Sequence, residues 1–486
     1  MSCKSSFSVR MSAFLFGMLG FLVVVQGVGF GYRSLYTTKA SAASSIQGTI
    51  PDLLQTEQVH TPDEPIDDGP LSLNREDAPA QDSPRDLFLL AFEQVWKTID
   101  SKHWENNPNG LDWKRIREEF EPRIATASDA AQADQILNEM LGRLKQSHFG
   151  IIPASQYEPL GSNEDRSGSI GVSLRMVDQK PTVWRVNPTS PAGMKEVKQG
   201  WVLLNINGKP IIDQLNKIDE LDSPAYSPTL LKQLVLNSVE KGDIGKSSLF
   251  VWSDANGVET ETELVFSQPA GKRAVLGNLP PFFVECNTRV VDSEIAYFQL
   301  SSFFDPPSVI PQLSQLLSEQ SNAPGLIVDL RGNPGGIAFM ASSLGGFLVR
   351  EEGVYLGTMN TRDAALRFTL IPREQTFQGK VAVLVDELSM STSEILAGGL
   401  QDIGRARVFG RPSAGMALPS IVEKLAYGSG FQYAFASYTS AGGKSLESNG
   451  VVPNEIIELD SKSLLEGRDL DVEAAIRWIR SDKPVR

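Results

Sequence analysis

Apolar residues recur every three or four positions from Arg85 to about Leu144, which is the spacing of an amphipathic helix. The pattern predicts three helices in this stretch, and Ser128 is the predicted N-cap of the third. The apolar face of the third helix is formed by Ile136, Met140, Leu141 and Leu144. A helical region therefore begins the regular structure of the chain.

Between residues 161 and 270 short apolar runs alternate with glycine, proline and asparagine, which predicts a small β-rich unit. Strands are predicted within 168–177 and at 183–186, 250–252 and 260–266, with one short helix over 191–197. After Lys272 strands and helices alternate, as they do in an α/β fold. Strands are predicted at 295–300, 326–331 and 381–385, and helices at 309–317 and 337–348.

The first 84 residues follow neither pattern. Lys4 and Arg10 precede an apolar stretch over 12–30, which is either a signal peptide or a single membrane anchor. The sequence 40–42, Ala-Ser-Ala, resembles a cleavage site. Both alternatives predict export to the periplasm or to the extracytoplasmic face of a membrane. The next residues are rich in Asp, Glu and Pro, and we expect a disordered acidic linker.

Composition excludes several kinds of function. The formal net charge of −14 argues against a general affinity for nucleic acid. Two cysteines, Cys3 and Cys286, cannot form a disulfide framework or a cysteine metal site. No metal or other cofactor is predicted. Histidine is also scarce, so a general base of that type has only three candidates, His60, His103 and His148.

These histidines differ in their surroundings. His60 lies inside the acidic linker, and His103 beside Trp104 is predicted to pack or to lie at the surface. His148 follows Ser147 where the third helix gives way to a strand. At that junction it is either a structural histidine or a general base.

The junction after the strand over 381–385 is the strongest candidate for chemistry. Ser391, Thr392, Ser393 and Glu394 stand between this strand and apolar residues at helical spacing. A serine there is expected to expose its Oγ, and N–H groups at the helix start could hold an oxyanion. Alternatively, Ser391 and Thr392 only cap the helix, in which Thr392 or Ser393 could also be the capping residue.

A second junction carries the glycine-rich turn 332–336, Gly-Asn-Pro-Gly-Gly. Such a turn lets the backbone approach a ligand closely. The Gly-Lys-Ser/Thr of a P-loop is missing, and no GxGxxG is present, so a nucleotide site is not predicted.

Residues 161–270 resemble a PDZ domain of the kind found in bacterial exported proteases. The resemblance rests on Ser-Pro-Ala-Gly at 190–193 and on Gly-Trp-Val-Leu-Leu-Asn-Ile-Asn-Gly at 200–208, where Trp201 replaces the usual Asp. It implies that the backbone N–H groups of one loop bind a peptide C-terminus while the peptide adds a strand. That loop is Gly168, Ser169, Ile170 and Gly171. A small β-domain without a ligand is the alternative.

Residues 85–460 taken together resemble the carboxyl-terminal processing (tail-specific) proteases and their tricorn relatives. The motifs that carry the resemblance begin at Asp329, Ser391, Gln401, Gly410 and Leu446, and read DLRGNPGG, STSE, QDIGRA, GRPSAG and LESNGVVP. The resemblance implies a helical N-terminal part, a PDZ domain and a crotonase-like (ClpP-like) core. It also implies a serine endopeptidase that acts on polypeptides with exposed C-termini.

The resemblance makes Ser391 the nucleophile, but the general base differs from the commonest branch. That branch has a lysine directly after the turn ending at Gly415, where this chain has Met416. A thioether cannot accept the serine proton, so a Ser-Lys dyad is absent. The tricorn-like branch uses a Ser-His pair and a glutamate, which correspond here to Ser147, His148 and Glu447.

In that reading His148 is the general base, and Ser147 and Glu447 orient its ring. The predicted oxyanion hole uses the backbone N–H of Thr392 and of either Gly335 or Gly336. Glu394 and Asp329 are predicted to hold turns near the site.

The predicted organisation has five parts: 1–43 signal peptide or anchor, 44–84 linker, 85–160 helical region, 161–270 PDZ domain and 271–486 catalytic core. Two alternatives to a protease stay open. One is a catalytically inactive PDZ-bearing scaffold, and the other is a carrier of apolar ligands, because retinoid-binding proteins contain similar domains. A lipase-type hydrolase is disfavoured because no Gly-x-Ser-x-Gly surrounds Ser391. The oligomeric state is not predicted.

Overall fold

Three amphipathic helices at the start of the regular structure share one apolar surface, as the sequence pattern predicts. The computed structural model describes residues 83–154, 167–220, 225–275 and 281–482. The helices are α1 (Pro84–Lys102), α2 (Trp113–Ile124) and α3 (Ala130–Gly142). The predicted signal peptide or anchor, His60 and nearly all of the linker lie outside the described residues. None of the described helices combines the length and apolar character needed to cross a membrane.

The N-cap of α3 differs from the prediction by one residue. Asp129, not Ser128, occupies this position, and its carboxylate accepts a hydrogen bond from the N–H of Gln132. A carboxylate at a helix start also interacts favourably with the positive end of the helix dipole. Ser128 stands one residue earlier, where its hydroxyl donates to Asp129.

The helical region is joined to the rest of the protein by a small antiparallel sheet. Strand β1 (Gly150–Ile152) pairs with β20 (Gly430–Ala434), which pairs with β19 (Ser420–Lys424). Apolar residues of the helices and of these strands form one buried cluster, including Phe92, Phe120 and Phe431. The residues around His148, just before β1, are thus fixed between helices and sheet.

Residues 167–275 form the β-rich part of the molecule. Its main sheet has the order β3-β4-β5-β8-β9, with β6 beside β5, and a separate ladder joins β2 to β7. The strands are β2 (Ser167–Ser169), β3 (Val172–Val177), β4 (Lys180–Val186), β5 (Val202–Ile206), β6 (Lys209–Pro210), β7 (Lys241–Asp243), β8 (Ser247–Ser253) and β9 (Glu259–Val265). The helices are α4 (Pro191–Met194), α5 (Ile211–Asn216) and α6 (Pro228–Val239). Helix α4 is shorter than predicted, because Glu196 adopts a positive φ.

A six-stranded sheet forms the centre of the remaining region, in the order β12-β13-β14-β17-β18-β22. Only β12 is antiparallel to its neighbour, and the other pairs are parallel. These strands are β12 (Cys286–Val291), β13 (Ile295–Leu300), β14 (Gly325–Asp329), β17 (Lys380–Val385), β18 (Ala406–Gly410) and β22 (Glu455–Ile456). Strand β17 is central, and its continuous apolar run is buried on both faces, as expected for a parallel sheet.

Helices cover both faces of this sheet, so the mixed α/β class is confirmed. One face packs against α7 (Pro306–Glu319), α8 (Phe339–Gly345) and α9 (Thr392–Asp402), and the other against α11 (Leu470–Arg480). Helix α10 (Ser461–Leu465) precedes α11. The smaller ladders are β10 (Lys272–Ala274) with β11 (Phe282–Val284), and β16 (Ala365–Thr369) with β15 (Tyr355–Asn360) and β21 (Ser437–Ser440). Helix α8 starts later than predicted, because the N–H of Ile337 donates to Phe303 across a parallel bridge.

Candidate active site

Ser391 lies where the central strand β17 passes into helix α9. The turn before it is held by Ser389, whose hydroxyl donates to the carbonyl of Leu330 at 2.8 Å and accepts from the N–H of Asp386 at 2.9 Å. Ser391 has a positive φ of 54°, which is uncommon for a residue with a side chain. The turn therefore holds this serine in a strained backbone conformation at the helix start.

Ser391 occupies the N-cap position, as the capping alternative allowed, whereas Thr392 and Ser393 lie inside the helix. Ser391 and Glu394 have a capping-box arrangement in which the Glu394 carboxylate accepts the Ser391 N–H at 2.9 Å, but Ser391 Oγ makes no full hydrogen bond among the described residues. The expectation of an exposed Oγ is wrong, because Ser391 is completely buried. Gly335 lies close to it, and the neighbouring Met390 is buried in an apolar cluster.

Glu394 ties the start of α9 to the segment 413–416, as predicted for a residue that holds turns. Its carboxylate accepts from the backbone N–H groups of Ser391 at 2.9 Å, Gly415 at 2.7 Å and Met416 at 2.9 Å. The hydroxyl of Ser413 donates to it at 2.6 Å. Burial raises the pKa of Glu394 to about 7, although these four hydrogen bonds favour the charged form.

Ser147, His148 and Glu447, which are far apart in sequence, meet in a row of hydrogen bonds. The Oγ of Ser147 lies 2.6 Å from His148 Nδ1 and 2.9 Å from Glu447 Oε2, and the N–H of Ser147 donates to Glu447 Oε1 at 2.8 Å. When Glu447 is ionised, its carboxylate only accepts hydrogen bonds, so the single Ser147 hydroxyl proton points to Glu447. His148 Nδ1 must then carry the proton that is donated to Ser147, which leaves Nε2 with a free lone pair.

The two atoms that would exchange a proton are both buried without partners. Neither Ser391 Oγ nor His148 Nε2 has a hydrogen-bond partner among the described residues, and they do not bond to each other. Buried polar atoms are rarely left unpaired, and exceptions call for an explanation, a catalytic role among them. His148 also has a positive φ of 63°, and His148 and Ser391 are both buried.

Burial sets the protonation of this row. Desolvation lowers the pKa of His148 to about 3, so its ring is neutral at physiological pH. Desolvation also raises the pKa of Glu447, opposed by the hydrogen bonds from Ser147 and Ala417. A neutral imidazole with a free Nε2 is the form that can accept a proton.

One peptide group connects the row to the serine. The carbonyl of Met416 accepts the N–H of Ser391 at 2.9 Å. The N–H on the other side of the same peptide bond, that of Ala417, donates to Glu447 Oε2 at 3.2 Å. Sequence analysis noted Met416 only as the missing lysine, and nothing in the local pattern indicated this link.

The glycine-rich turn 332–336 lies directly beside Ser391. The N–H of Gly335 donates to Asn333 Oδ1 at 2.8 Å, so it is already used. A Cβ added at Gly335 would stand 2.9 Å from Ser391 Cβ and 3.0 Å from Thr392 N, and its φ is +97°. The hydroxyl of Thr392 donates to the carbonyl of Gly336 at 3.0 Å. Within the described residues the N–H groups of Gly336 and Thr392 have no acceptor.

Asp329 organises the end of strand β14, as predicted for a structural residue. Its carboxylate pairs with Arg331 at 2.7 Å, pairs with Arg185 at 3.0 Å, and accepts the hydroxyl of Tyr297 at 2.5 Å. Despite the cost of burial, these partners hold the pKa of Asp329 well below its usual range. The glycine-rich turn that follows β14 therefore starts from a rigid, ion-paired position.

The loop of Gly168, Ser169, Ile170 and Gly171 already uses most of its N–H groups. Those of Ser169, Ile170 and Gly171 donate to Ser267 O at 2.8 Å, Glu240 O at 3.1 Å and Ser169 Oγ at 2.9 Å. Gly168 lies in the ladder between β2 and β7. Peptide binding by this loop stays a prediction.

Strand β3 lies at the edge of its sheet, and the side chains of Gln233 and Glu240 hydrogen-bond to its backbone. The sequence pattern did not predict these contacts. The carbonyl of Leu174 accepts from Gln233 Nε2 at 2.6 Å, and its N–H donates to Glu240 Oε1 at 2.6 Å. The N–H of Met176 donates to Gln233 Oε1 at 3.4 Å. Burial raises the pKa of Glu240 to about 8. These backbone groups are the ones that an added strand would bond.

Two known families match separate parts of the chain. Peptidase family S41 matches residues 294–457, and the Tricorn protease C1 domain matches residues 84–142. Ser391 and Glu447 lie inside the first match, whereas Ser147 and His148 lie between the two. In the part of the chain that the structure describes, no group of three or more His, Cys, Asp or Glu side chains could hold a metal ion.

Individual relatives resemble the chain along most of its length. The carboxyl-terminal-processing protease of Picosynechococcus sp. is 24% identical over 414 residues, covering 82% of this chain and 90% of the relative. The solved photosystem II D1 C-terminal processing protease has a TM-score of 0.52 at 20% identity, covering 81% of this chain and 98% of that chain. Mature CPAF has a TM-score of 0.57 at 12% identity, covering 82% and 99%.

These matches define the class of the protein. Residues 294–457, which contain the candidate nucleophile Ser391, match peptidase family S41. The protein is a serine-type peptidase related to the carboxyl-terminal processing proteases.

Proposed function

We propose that the protein is an exported serine endopeptidase in which Ser391 is the nucleophile and His148 is the general base. The observation that carries this proposal is the row from Glu447 through Ser147 to His148, which ends on a free Nε2. The row is tied to the backbone of Ser391, whose Oγ is also unpartnered. Residues 271–486 would form a crotonase-like core, and residues 161–270 an inserted PDZ domain.

The chemistry proceeds in two stages. His148 Nε2 accepts the hydroxyl proton of Ser391 as Oγ attacks the scissile carbonyl carbon, and the carbonyl oxygen becomes an oxyanion. The imidazolium then gives this proton to the leaving amine, which leaves an acyl group on Ser391. Water, deprotonated by the same Nε2, releases the acyl group and regenerates the serine.

Two further parts support these stages. The free N–H groups of Gly336 and Thr392 can donate to the oxyanion, and Gly336 is favoured over Gly335, whose N–H is bonded to Asn333. The carboxylate of Glu447 stabilises the imidazolium through the hydroxyl of Ser147. Since Ser391 Oγ and His148 Nε2 are not bonded in this conformation, substrate binding must bring them into contact.

The PDZ domain would present polypeptides with exposed C-termini to Ser391. Helix α6 beside the open edge of β3 supports a strand-addition site. The occupied backbone groups of Leu174 mean that an entering peptide displaces Gln233 and Glu240.

Export is proposed from the apolar segment over 12–30, which is either removed or kept as a membrane anchor. A binding scaffold without catalysis is the second candidate. It is favoured by the complete burial of Ser391 and by Met416 in place of a lysine base.

The test is labelling of the full-length protein with a fluorophosphonate probe, beside Ser391→Ala and His148→Ala variants. We expect wild type to be labelled and both variants to lose labelling, because the probe reports the activated serine hydroxyl. Ser463, which lies on α10, provides a matched control as Ser463→Ala and should leave labelling unchanged. Labelling that survives His148→Ala would overturn the assigned base, and a folded wild type that never reacts would favour the scaffold.

A further inference from the structure

Met416 occupies the position of the absent lysine, but its contacts give it a different task. Its side chain is 1% exposed and lies in the hydrophobic cluster of the β-rich part, with Leu388 and Met390. The other buried members of this cluster come from residues 170–266, including Leu234 of α6 and Leu264 of β9. The Met416 side chain thus anchors the segment 413–417 in the hydrophobic core of the β-rich part.

The backbone of Met416 is bonded on both sides to the proposed machinery. Its N–H donates to Glu394 Oε2 at 2.9 Å, and its carbonyl accepts the N–H of Ser391 at 2.9 Å. The N–H of Ala417, in the same peptide group as that carbonyl, donates to Glu447 at 3.2 Å. Because a peptide group is planar and rigid, a shift of this group moves its contacts to Ser391 and Glu447 together.

We propose that Met416 is a positioning residue. It links the packing of the β-rich part against the Met416 side chain to the distance between Ser391 Oγ and His148 Nε2. This inference rests on the proposed function of Ser391 and His148. The buried thioether anchors the 416–417 peptide group, and this group sets the nucleophile against the Glu447–Ser147–His148 row. A change in the packing of residues 170–266 around Met416 therefore alters reactivity without touching a reacting atom.

The test compares three variants of the full-length protein. Met416→Ala removes the anchor, Met416→Leu keeps its volume and apolar character, and Ile479→Ala opens a cavity in a separate buried cluster on α11. The readout is the second-order rate constant of fluorophosphonate labelling across pH, since a small probe needs no peptide docking. Thermal unfolding confirms that each variant is folded.

We expect Met416→Ala to slow labelling by about tenfold or more and to shift its pH profile, because small misplacements of a catalytic group have large effects on rate. Met416→Leu should stay within about twofold of wild type, as should Ile479→Ala despite its lower Tm. Equal labelling of Met416→Ala and wild type, or an equal loss in Ile479→Ala, would overturn the proposal.

Hydrogen exchange keeps the inference testable if wild type does not react at all. The N–H of Ser391 and that of Ala417 are bonded through the anchored peptide group. In Met416→Ala, peptides containing these amides should exchange about tenfold faster than in wild type, and in Ile479→Ala they should not. Unchanged amide hydrogen exchange in Met416→Ala would contradict the positioning role. Absent labelling in wild type would contradict only the proposed catalysis.

Discussion

Ser391 and Glu447 are bonded to opposite sides of a single peptide group. The carbonyl of Met416 accepts the N–H of Ser391, and the N–H of Ala417 donates to the carboxylate of Glu447. The proposed nucleophile and the Glu447 end of the hydrogen-bonded row are therefore held by one rigid plane of atoms. Their relative position depends on the segment 413–417, which Glu394 clamps from the other side.

Removal of the hydroxyl of Ser147 should disable the base without removing it. In Ser147→Ala, His148 Nδ1 loses its hydrogen-bond acceptor and Glu447 loses a donor, so neither the tautomer nor the ring orientation is fixed. We expect the labelling rate of Ser391 to fall by about 10²- to 10⁴-fold, which is the usual worth of general acid–base catalysis.

The control for this experiment is Ser448→Ala, at an exposed serine beside Glu447 that also has a positive φ. It should label at the wild-type rate. A Ser147→Ala protein that is folded and reacts as fast as wild type would show that the row does not serve catalysis.

The low pKa of His148 should appear in the pH dependence of stability. The folded protein keeps this ring neutral down to about pH 3, whereas the unfolded chain protonates it near pH 6.5. Between these values the unfolded state binds more protons, so the contribution to stability is complete above pH 6.5 and is lost as the pH falls. In urea unfolding, the stability of wild type should therefore fall relative to that of His148→Asn as the pH decreases from about 6.5 toward 3.

The comparison between these two proteins isolates His148 from its acidic neighbours. Glu394, with its pKa raised to about 7, acts in the opposite direction, because its contribution is lost as pH rises above 4.5. This contribution is present in both proteins and cancels in the difference. A difference that does not change with pH would contradict a neutral, buried His148.

Gly335→Ala should be strongly harmful because two penalties coincide there. The new Cβ would lie 2.9 Å from Ser391 Cβ and 3.0 Å from both Met390 O and Thr392 N, and the backbone has a φ of +97°. Gly353 is a matched control, with a φ of +78° and no atom within 4 Å of an added Cβ. Gly353→Ala should cost about 1–2 kcal/mol from backbone strain alone.

We expect Gly335→Ala to lose more stability than this control and to lose labelling of Ser391, since the clash displaces the nucleophile. Urea unfolding and fluorophosphonate labelling measure the two effects. Equal losses of stability in the two variants, with labelling retained in Gly335→Ala, would show that the turn can move away from Ser391 at little cost.

Gln233→Ala should make it easier for a peptide to bind along the edge of strand β3. The side chain of Gln233 bonds the carbonyl of Leu174 and the N–H of Met176, which a docking strand would need. If an added peptide displaces this side chain, its removal should strengthen binding of a C-terminal peptide severalfold, measured by fluorescence anisotropy on Ser391→Ala protein. Lys232→Ala is the control, because this half-buried side chain of the same helix pairs with Asp219 at 2.7 Å. Weaker binding in Gln233→Ala would mean that the glutamine contacts the peptide itself.

The positions of the strands and helices could be read from local pattern to a large extent. The apolar run at 381–385 became β17, and the predicted helix at 309–317 lies within α7. Local patterns predicted the ends of helices less reliably, because a single contact can determine where a helix begins. Asp129 replaced Ser128 as a cap, and the bridge from Ile337 to Phe303 delayed α8.

The sequence by itself supplied the chemistry of the candidate site: a serine at a strand-to-helix junction, a Ser-His pair, a late glutamate and no lysine after Gly415. These are properties of residue type and local order, which a linear pattern records. Only the tertiary structure decided that Ser147 and Glu447, 300 positions apart, share hydrogen bonds, that Gly335 has a used N–H, and that Ser391 is buried. Such facts arise from packing between distant segments, because hydrogen-bond partners and desolvation depend on which parts of the folded chain meet.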